Sequence, residues 1–119
     1  MLRWSFALLF IVIATCGRAQ GPYWAYDFGS FSADAVNDVK TDASGNVYVI
    51  GEFSLSLTYD GATMISSGTT DAFVAKLDDA GSLLWWKQAG GPGVDRGLKL
   101  AVAGGNVAVT GQFMGTADL

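Results

Sequence analysis

The chain has 119 residues, of which 50% are hydrophobic and 15% are charged, with 16 glycines, one cysteine and no histidine. This composition excludes an intrinsically disordered chain, an internal disulfide framework and any catalytic triad or metal site that depends on histidine. The net charge of −4 argues against a nucleic-acid partner, because electrostatic capture of nucleic acid needs a basic surface.

The N-terminal segment has the layout of a secretory signal peptide. A basic residue, Arg3, precedes the uncharged apolar run Trp4–Thr15, and small residues follow at Gly17 and Ala19. The run is shorter than the roughly 20 apolar residues that a membrane-spanning helix needs. We therefore predict a signal peptide over residues 1–19, cleavage after Ala19 and no stable membrane span in the mature chain. The expected location is secreted or at the cell surface or outer envelope.

A lipoprotein signal is the alternative for the same segment. Cys16 follows Ile13-Ala14-Thr15, and a lipoprotein would carry its lipid on that cysteine. Bacterial lipoprotein signals usually place Gly, Ala or Ser directly before the cysteine, and Thr15 departs from this pattern. Ordinary cleavage is therefore the favoured prediction, with lipidation of Cys16 as the minority alternative.

The chain after residue 20 contains an internal repeat. Residues 45–53, GNVYVIGEF, match residues 105–113, GNVAVTGQF, at six of nine positions. Upstream the match continues after one deleted residue and aligns Asp34 with Asp95. A recurrence at about 60 residues predicts one complete structural unit and part of a second.

Alternating hydrophobicity within the unit predicts β-strands arranged as two hairpins. The predicted strands are Ala35–Thr41, Asn46–Phe53, Asp71–Leu77 and Leu83–Ala89. Turn chemistry separates each pair, at Asp42–Gly45 and Asp78–Gly81, because Asp bonds the local backbone and Gly tolerates positive φ. Trp85 and Trp86 are adjacent and must face opposite sides of their strand. Four strands per repeat is the count of a propeller blade.

Residues 54–70 carry a weaker pattern. Leu55, Leu57 and Tyr59 alternate, and then Gly61 and the run SSGTT interrupt the alternation. We expect a short extension of the second strand, followed by a loop that leads to the third. No segment after residue 20 has a sustained helical period, so we expect almost no helix.

Small and bulky residues are expected to pack at different places in the unit. Val47, Val49 and Gly51 suit a tightly packed inner strand, as do their equivalents Val107, Val109 and Gly111 in the second unit. The bulky residues expected to fill the space between sheets are Phe53, Phe73, Trp85 and Phe113. One four-stranded sheet cannot bury both its faces, so stability should come from stacking on neighbouring blades.

Three linked segments resemble the bacterial β-propeller repeat family found in exported multi-repeat proteins. They are Asp42–Phe53 (D-x-x-G-N-V-Y-V-x-G-x-F), Ser66–Trp85 (S-x-G-x-x-D-A-F-V-A-K-L-D-x-x-G-x-x-x-W) and Gly90–Asp95 (G-G-x-G-x-D). The resemblance implies repeats stacked as four-stranded blades around an axis, in cell-surface or secreted proteins. The second unit departs from the pattern at Ala103, which replaces the Asp of the turn.

The predicted fold class is all-β, with antiparallel four-stranded β-propeller blades, incomplete at about 1.6 repeats of about 60 residues. The predicted divisions are a signal peptide at 1–19, a lone outer strand and linker at 20–34, a first complete repeat at 35–94 and a partial second repeat at 95–119. Tyr23–Gly29 aligns with the fourth strand of the repeat and is expected to be poorly anchored or to pair out of register. Because known propellers carry about four to eight blades, we expect either a fragment of a longer protein or several assembling copies.

Acidic residues are the candidates for metal or ligand contacts. Asp42, Ser44 and Asn46 have the spacing of the first part of a calcium loop. That loop would next require Gly where Val47 stands and Glu where Phe53 stands, so a hairpin turn with side chain-to-backbone bonds is favoured. Asp34, Asp95 and Asp71 mark either a ligand-binding rim or caps of the turns into strands, and capping is favoured.

Other motifs give weaker indications. The glycine-rich segment Gly90–Gly93 lacks the Lys-Ser/Thr of a phosphate loop, and no helix is predicted after it. Asp78 and Asp79 should diverge on their turn, and Glu52, the only glutamate, would need an Asp across the fold to form a glycosidase pair. The aromatic residues that could stack on sugars are Trp24, Tyr48, Trp85 and Trp86, although aromatics in strands more often belong to the core. We therefore assign no catalytic, cofactor-binding or metal-binding residue and no cofactor.

The favoured functional hypothesis is a non-enzymatic, exported β-propeller repeat segment with a structural, adhesion or ligand-binding scaffold role. Its expected partners are neighbouring propeller blades, from the parent chain or other copies, and a surface glycan or protein ligand. The alternative is the N-terminal piece of a propeller-fold hydrolase or lyase whose catalytic residues lie in missing blades. A truncated gene product without function is the third hypothesis.

Overall fold

The chain folds as antiparallel β-sheets. A computed structural model describes residues 27–29 and 32–116. Its strands are β1 Ala35–Thr41, β2 Val47–Phe53, β3 Ser56–Tyr59, β4 Ala62–Ile65, β5 Asp71–Leu77, β6 Leu83–Ala89, β7 Arg96–Ala103 and β8 Asn106–Gln112. The described residues contain no helix, and so none that could cross a bilayer. The all-β prediction is confirmed, and the predicted signal peptide and its cleavage site lie outside the described residues.

Four strands form the largest sheet, in the order β1-β2-β5-β6. Both predicted hairpins, β1–β2 and β5–β6, are present, and each turn has a glycine in the left-handed region, Gly45 at φ 86° and Gly81 at φ 89°. The second strand begins at Val47, one residue later than predicted, because Asn46 is bonded to Asp42 within the turn. Local turn chemistry therefore determines both hairpins.

The prediction for residues 54–70 was wrong. Instead of an extension and a loop, β3 and β4 form a hairpin of their own, a separate two-stranded sheet. The chain leaves β2 at Leu55, whose φ is 62°, and reverses at Asp60 and Gly61, whose φ values are 49° and 77°. Two consecutive positive φ values are the geometry of the tight hairpin turn that Asp-Gly favours. The Asp-Gly pair was therefore the sequence signal that the prediction missed.

The hairpin β3–β4 covers one face of the four-stranded sheet. Its side chains Leu57, Tyr59 and Met64 are buried against Val47, Val49, Phe53, Phe73, Ala75 and Leu77 of β2 and β5. The Tyr59 hydroxyl donates a hydrogen bond of 2.6 Å to the Gly81 carbonyl and so fixes the hairpin to the β5–β6 turn. This cluster is the main hydrophobic core.

Part of the predicted outer strand Tyr23–Gly29 belongs to this core. Phe28 is buried and stacks on Tyr59 with ring centroids 4.0 Å apart, and on Phe73 at 5.7 Å. Gly29 forms an isolated antiparallel bridge with Thr58 of β3. Of the two expectations, poor anchoring does not hold for Phe28, because its ring finds a stacking partner on the unpredicted hairpin, and Gly29 makes an isolated bridge outside any named strand. Residues 23–26 lie outside the described residues.

The opposite face of the sheet is covered by the hairpin β7–β8. Tyr48 and Ile50 of β2 are buried with Leu100 of β7, and Val102 and Val107 pack against them. Polar contacts also join the layers. The Leu100 N–H donates to Asp38 Oδ2 at 3.0 Å, and Asn37 Nδ2 donates to the Gly97 carbonyl at 2.7 Å. Both faces of β2 are therefore buried, each against a different hairpin.

The internal repeat is visible in the backbone. In the β1–β2 pair the register shifts at Asn37, and in the β7–β8 pair it shifts at the equivalent residue, Leu98. At Gly51 a Cβ would lie 2.0 Å from the Ala35 carbonyl oxygen, and at Gly111 it would lie 2.4 Å from that of Arg96. Sequence positions that match in the repeat thus have matching backbone geometry.

Two of the bulky residues expected between sheets are not buried there. Phe53 and Phe73 are buried, but Trp85 is 36% exposed and Phe113 is 46% exposed. Trp85 lies on β6, an edge strand of the four-stranded sheet, and Phe113 follows β8, an edge strand of the second hairpin. Edge positions have fewer neighbours in the described residues, which accounts for the difference.

Candidate functional site

The Asp42 carboxylate accepts hydrogen bonds from its own segment and so stabilises the β1–β2 turn. Its Oδ1 accepts from the N–H groups of Ser44, at 2.9 Å, and Asn46, at 3.0 Å. Its Oδ2 accepts from Asn46 Nδ2 at 2.8 Å and from the Tyr48 hydroxyl at 3.2 Å. The Asn46 side-chain amide, with these backbone donors, holds the pKa of Asp42 below its usual range. The residues of the apparent calcium loop therefore form a hydrogen-bonded turn.

The β5–β6 turn repeats this chemistry. Asp78 Oδ1 accepts hydrogen bonds from the N–H groups of Ala80, at 2.9 Å, and Ser82, at 2.8 Å. The two turns are neighbours, since a Cβ on Gly45 would lie 3.3 Å from the Cβ of Asp79. Asp78 is therefore a turn-forming residue.

Asp34 and Asp95 have equivalent roles at the opposite end of the strands. Asp34 Oδ1 accepts a hydrogen bond of 3.2 Å from the Ser54 N–H, just after β2. Asp95 Oδ1 accepts one of 2.9 Å from the Met114 N–H, just after β8. Ser54 and Met114 are themselves equivalent in the repeat. Each Asp thus ties the start of a hairpin to its end, a longer-range role than the predicted cap.

Asp95 is also part of a buried junction between the two units. It is fully buried, and its Oδ2 accepts a hydrogen bond of 2.8 Å from the Gly91 N–H. Its own N–H donates to the Thr70 carbonyl at 2.8 Å, beside a parallel bridge between Thr70 and Val94. Within the glycine-rich segment, the Gly91 N–H therefore donates to a carboxylate of the protein itself.

Asp71 is the second fully buried carboxylate. Its Oδ2 accepts hydrogen bonds from the Ser67 N–H, at 2.9 Å, and from Gln88 Nε2, at 2.6 Å. Its Oδ1 is buried without a hydrogen-bond partner. A Cβ on Gly90 would lie 2.4 Å from the Asp71 Cγ, so the carboxyl packs directly on the glycine backbone. Close packing closes off Asp71 and leaves no room at Gly90 for another side chain.

Glu52 is engaged at the junction of the two hairpins. Its Oε1 lies 3.5 Å from Arg96 Nε, and its Oε2 lies 3.4 Å from Asn37 Nδ2. No group of three or more Asp, Glu, Cys or His that could hold a metal ion occurs within the described residues. The carboxylates placed by the structure thus act mainly as acceptors for the protein's own N–H groups.

The fold divides the aromatic candidates for sugar stacking between the two faces of the four-stranded sheet. Tyr48 is fully buried, with Lys76 Nζ 5.1 Å from its ring centroid, and Trp86 packs against the main core. Trp85 lies on the other face, edge-on to Tyr48 at 6.3 Å, which confirms that the two tryptophans face opposite sides. Trp85 is the most exposed of these three at 36%, Trp86 is partly buried, and Trp24 lies outside the described residues.

An apolar groove that the sequence analysis did not identify runs beside β8. It is lined by Ile50, Val74 and Lys87 of the four-stranded sheet and by Val109 and Phe113 of the second unit. The internal repeat could have indicated this groove. Since β8 corresponds to β2, and β5 pairs with β2, the outer edge of β8 is the position of a further strand. We call this feature the β8 groove.

Comparison with known proteins gives one partial similarity. Over 83 residues the chain is 39% identical to the regulatory protein FlaEY of Caulobacter vibrioides (strain ATCC 19089 / CIP 103742 / CB 15). The match covers 66% of this chain and only 8% of the length of that protein. No protein-family model matches the chain, and no solved structure matches it. The similarity concerns this segment alone and assigns no role to any residue.

Proposed function

We propose that the chain is an exported β-propeller repeat segment that serves as a structural, adhesion or ligand-binding scaffold within a longer protein. The observation that carries the proposal is the equivalence of the two units in three dimensions. Asp34 and Asp95 bond equivalent N–H groups after β2 and β8, and the register shifts at equivalent residues, Asn37 and Leu98. Repeat proteins of this kind are built by stacking such units.

The stacking direction supports blade-like packing. Val107 of β8 corresponds to Val47 of β2, which faces the core under β3–β4. In the second unit Val107 packs toward Tyr48 and Ile50, on the other face of the first sheet. One face of the second unit therefore lies on the opposite face of the first, a relation that can be continued from unit to unit. Blades around a propeller axis are related in this way.

A scaffold role is supported by the chemistry of the carboxylates. Asp42, Asp78 and Asp95 each accept two or more hydrogen bonds that hold turns or junctions in place. A rigid sheet with such fixed connections presents its loops in constant positions, and function in these folds resides in the loops. The similarity to a small part of a much longer protein is consistent with a segment that works inside a larger assembly.

Processing of the N-terminus tests the export part of the proposal. The full gene should be expressed in a bacterium with a general secretion pathway, and the intact mass of the product should be measured in the cytoplasmic, periplasmic and membrane fractions. We expect the mature protein outside the cytoplasm, beginning at Gln20. Replacing the small residue at the cleavage site, Ala19→Arg, should leave the precursor uncleaved.

The variant Cys16→Ser is the matched control. Ordinary cleavage should proceed in this variant, and the mature mass should be unchanged. Loss of processing in Cys16→Ser, with a lipid-sized mass increase in the wild type, would support the lipoprotein route instead. Unprocessed wild-type protein confined to the cytoplasm would refute export.

A further inference from the structure

The outer edge of β8 lacks the strand that covers its counterpart. In the first unit, β2 lies between β1 and β5, so both its edges are paired. In the second unit, β8 pairs with β7, and no other strand among residues 27–29 and 32–116 pairs with it. Unpaired edge N–H and C=O groups are a template for a further strand. The exposed apolar side chains Val109, at 46%, and Phe113, at 46%, lie along this edge.

We infer that the β8 groove is a strand-accepting site, and that its occupant is the third strand of a repeat unit, an extended segment with the sequence pattern of β5. The inference rests on the repeat that underlies the proposed function, but not on export. The incoming strand would add to β8 in antiparallel orientation by main-chain hydrogen bonds, while its alternate side chains enter the groove.

The register of the first unit specifies how that strand would lie. In the β2–β5 pair, Gly51 is opposite Phe73 and Val49 is opposite Ala75. Their equivalents in β8 are Gly111 and Val109. A β5-type strand would therefore place its phenylalanine opposite Gly111 and its following alanine opposite Val109.

The chemistry of the groove fits this register, and an aromatic ring already lies where the incoming phenylalanine would pack. In the first unit Phe73 lies over Gly51, with its Cε1 2.9 Å from where a Cβ would be, and packs edge-on to Phe53 at 6.2 Å. In the second unit the ring of Phe113, the equivalent of Phe53, itself takes this place, with its Cε2 3.2 Å from the Cβ position of Gly111. An incoming phenylalanine would displace the half-exposed Phe113 ring from this position and pack against it. The lining side chains Val74 and Val109 are apolar, so the entering strand would remove apolar surface from water.

The alternation of side chains along the incoming strand predicts which of them contribute to its affinity for the groove. In β5, Phe73, Ala75 and Leu77 belong to the core under β3–β4, whereas Lys76 lies over the Tyr48 ring on the opposite face. On β8 the first face would enter the groove, and the second would face away from it. Affinity should therefore depend on the phenylalanine and not on the lysine.

A peptide with the sequence of residues 69–79, TTDAFVAKLDD, tests the inference. A fluorescent version is titrated into the full-length chain, and its anisotropy is recorded. We expect saturable binding that weakens by about tenfold or more, or 1.4 kcal/mol, when the peptide carries Phe73→Ala. The matched peptide change Lys76→Gln should leave the Kd within about twofold.

Variants of the protein locate the binding site. Val109→Lys places a charge in the groove and should raise the Kd by about tenfold or more. Ala108→Lys, one residue away on the opposite face of β8, is the control and should leave the Kd nearly unchanged. If circular dichroism shows that Val109→Lys is unfolded, Phe113→Ala takes its place, because Phe113 lies after the strand and is half exposed.

Three outcomes would overturn the inference. Binding that is equal for all protein variants would mean that the peptide exchanges with β5 in the first unit or aggregates. An absence of peptide binding would mean that β8 does not accept this strand. Concentration-dependent dimers in sedimentation that Val109→Lys abolishes, with no peptide binding, would assign the edge to a second copy of the chain. None of these results depends on N-terminal processing, so failure here and failure of export are distinguishable.

Discussion

At the scale of single residues, the described aspartates act mainly as acceptors for backbone N–H groups. Such charge-assisted hydrogen bonds are stronger than neutral ones and hold the ends of strands together. Asp38 differs from the turn aspartates because it joins the two layers, accepting the Leu100 N–H across the interface and a hydrogen bond of 2.7 Å from Lys40 Nζ on its own strand. The charged form of this carboxyl therefore contributes to the packing of β7 on the first sheet.

Asp38 predicts how stability depends on pH. The Leu100 N–H, with Lys40 and the Val39 N–H, lowers the pKa of Asp38 from 3.8 to about 2. Because the pKa in the folded state lies below its usual value, the stabilisation is fully present above about pH 4 and is lost as the pH falls through about 2. Urea unfolding between pH 7 and pH 2 should show this loss, and Asp38→Asn should reduce it. If the free energy of unfolding of Asp38→Asn falls as steeply with decreasing pH as that of the wild type, other carboxyls account for the pH dependence.

At the scale of the elements, close backbone approaches determine where glycine is required. β1 and β7 each have a register shift of one residue, and their carbonyls at Ala35 and Arg96 approach the opposite strand at Gly51 and Gly111. Any side chain there would collide with backbone. Gly61 is different, since nothing lies within 4 Å of a Cβ on it and its requirement comes from φ 77° alone.

Two alanine substitutions should separate these effects. Gly51→Ala forces the strands apart, and we expect it to lower the free energy of unfolding by about 4 kcal/mol or more, or to prevent folding. Gly61→Ala carries only the backbone cost of a left-handed alanine, about 1–2 kcal/mol. Chemical denaturation with both variants measures the difference. Similar losses in the two variants would contradict the close approach at Gly51.

The same elements show how far the sequence could predict this fold. β1, β2, β5 and β6 follow from alternation and turn residues, which act over a few positions. β3 and β4 could also have been predicted, because Asp60-Gly61 between alternating residues is a local hairpin signal. The burial of Phe28 could not, since its partners Tyr59 and Phe73 are distant in sequence and meet only after the hairpin has folded over the sheet.

At the scale of the whole molecule, the described residues form three β-layers with β2 at the centre. The hairpin β3–β4 covers one face and β7–β8 the other. The interface between the four-stranded sheet and β7–β8 is the smaller one, and its buried side chains are Tyr48, Ile50 and Leu100. A two-stranded layer with an open edge has fewer buried contacts, and regions of this kind open before the rest of the protein.

Hydrogen exchange should detect this difference in local stability. We expect the amides of β7 and β8 to exchange faster than those of β2 and β5. Leu100→Ala removes a side chain that is 5% exposed and should destabilise the interface by about 2–4 kcal/mol. The acceleration should be confined to β7 and β8. Leu84→Ala, at a side chain that is 52% exposed, is the control and should change exchange little. Uniform acceleration over both units would mean that they unfold together.

The strand class, the two main hairpins and the repeat can be derived from the amino-acid sequence, because alternation and turn residues act through neighbours in the chain and the repeat is a recurrence of the same residues. Packing in three dimensions brings Asp95 to Gly91 and Met114 and places Asp71 against Gly90. It also decided that Tyr48 is buried while Trp85 and the β8 groove stay open. These features depend on which distant residues meet when layers stack. Side-chain chemistry limits which residues can contact one another, but the packing of the layers decides which contacts form.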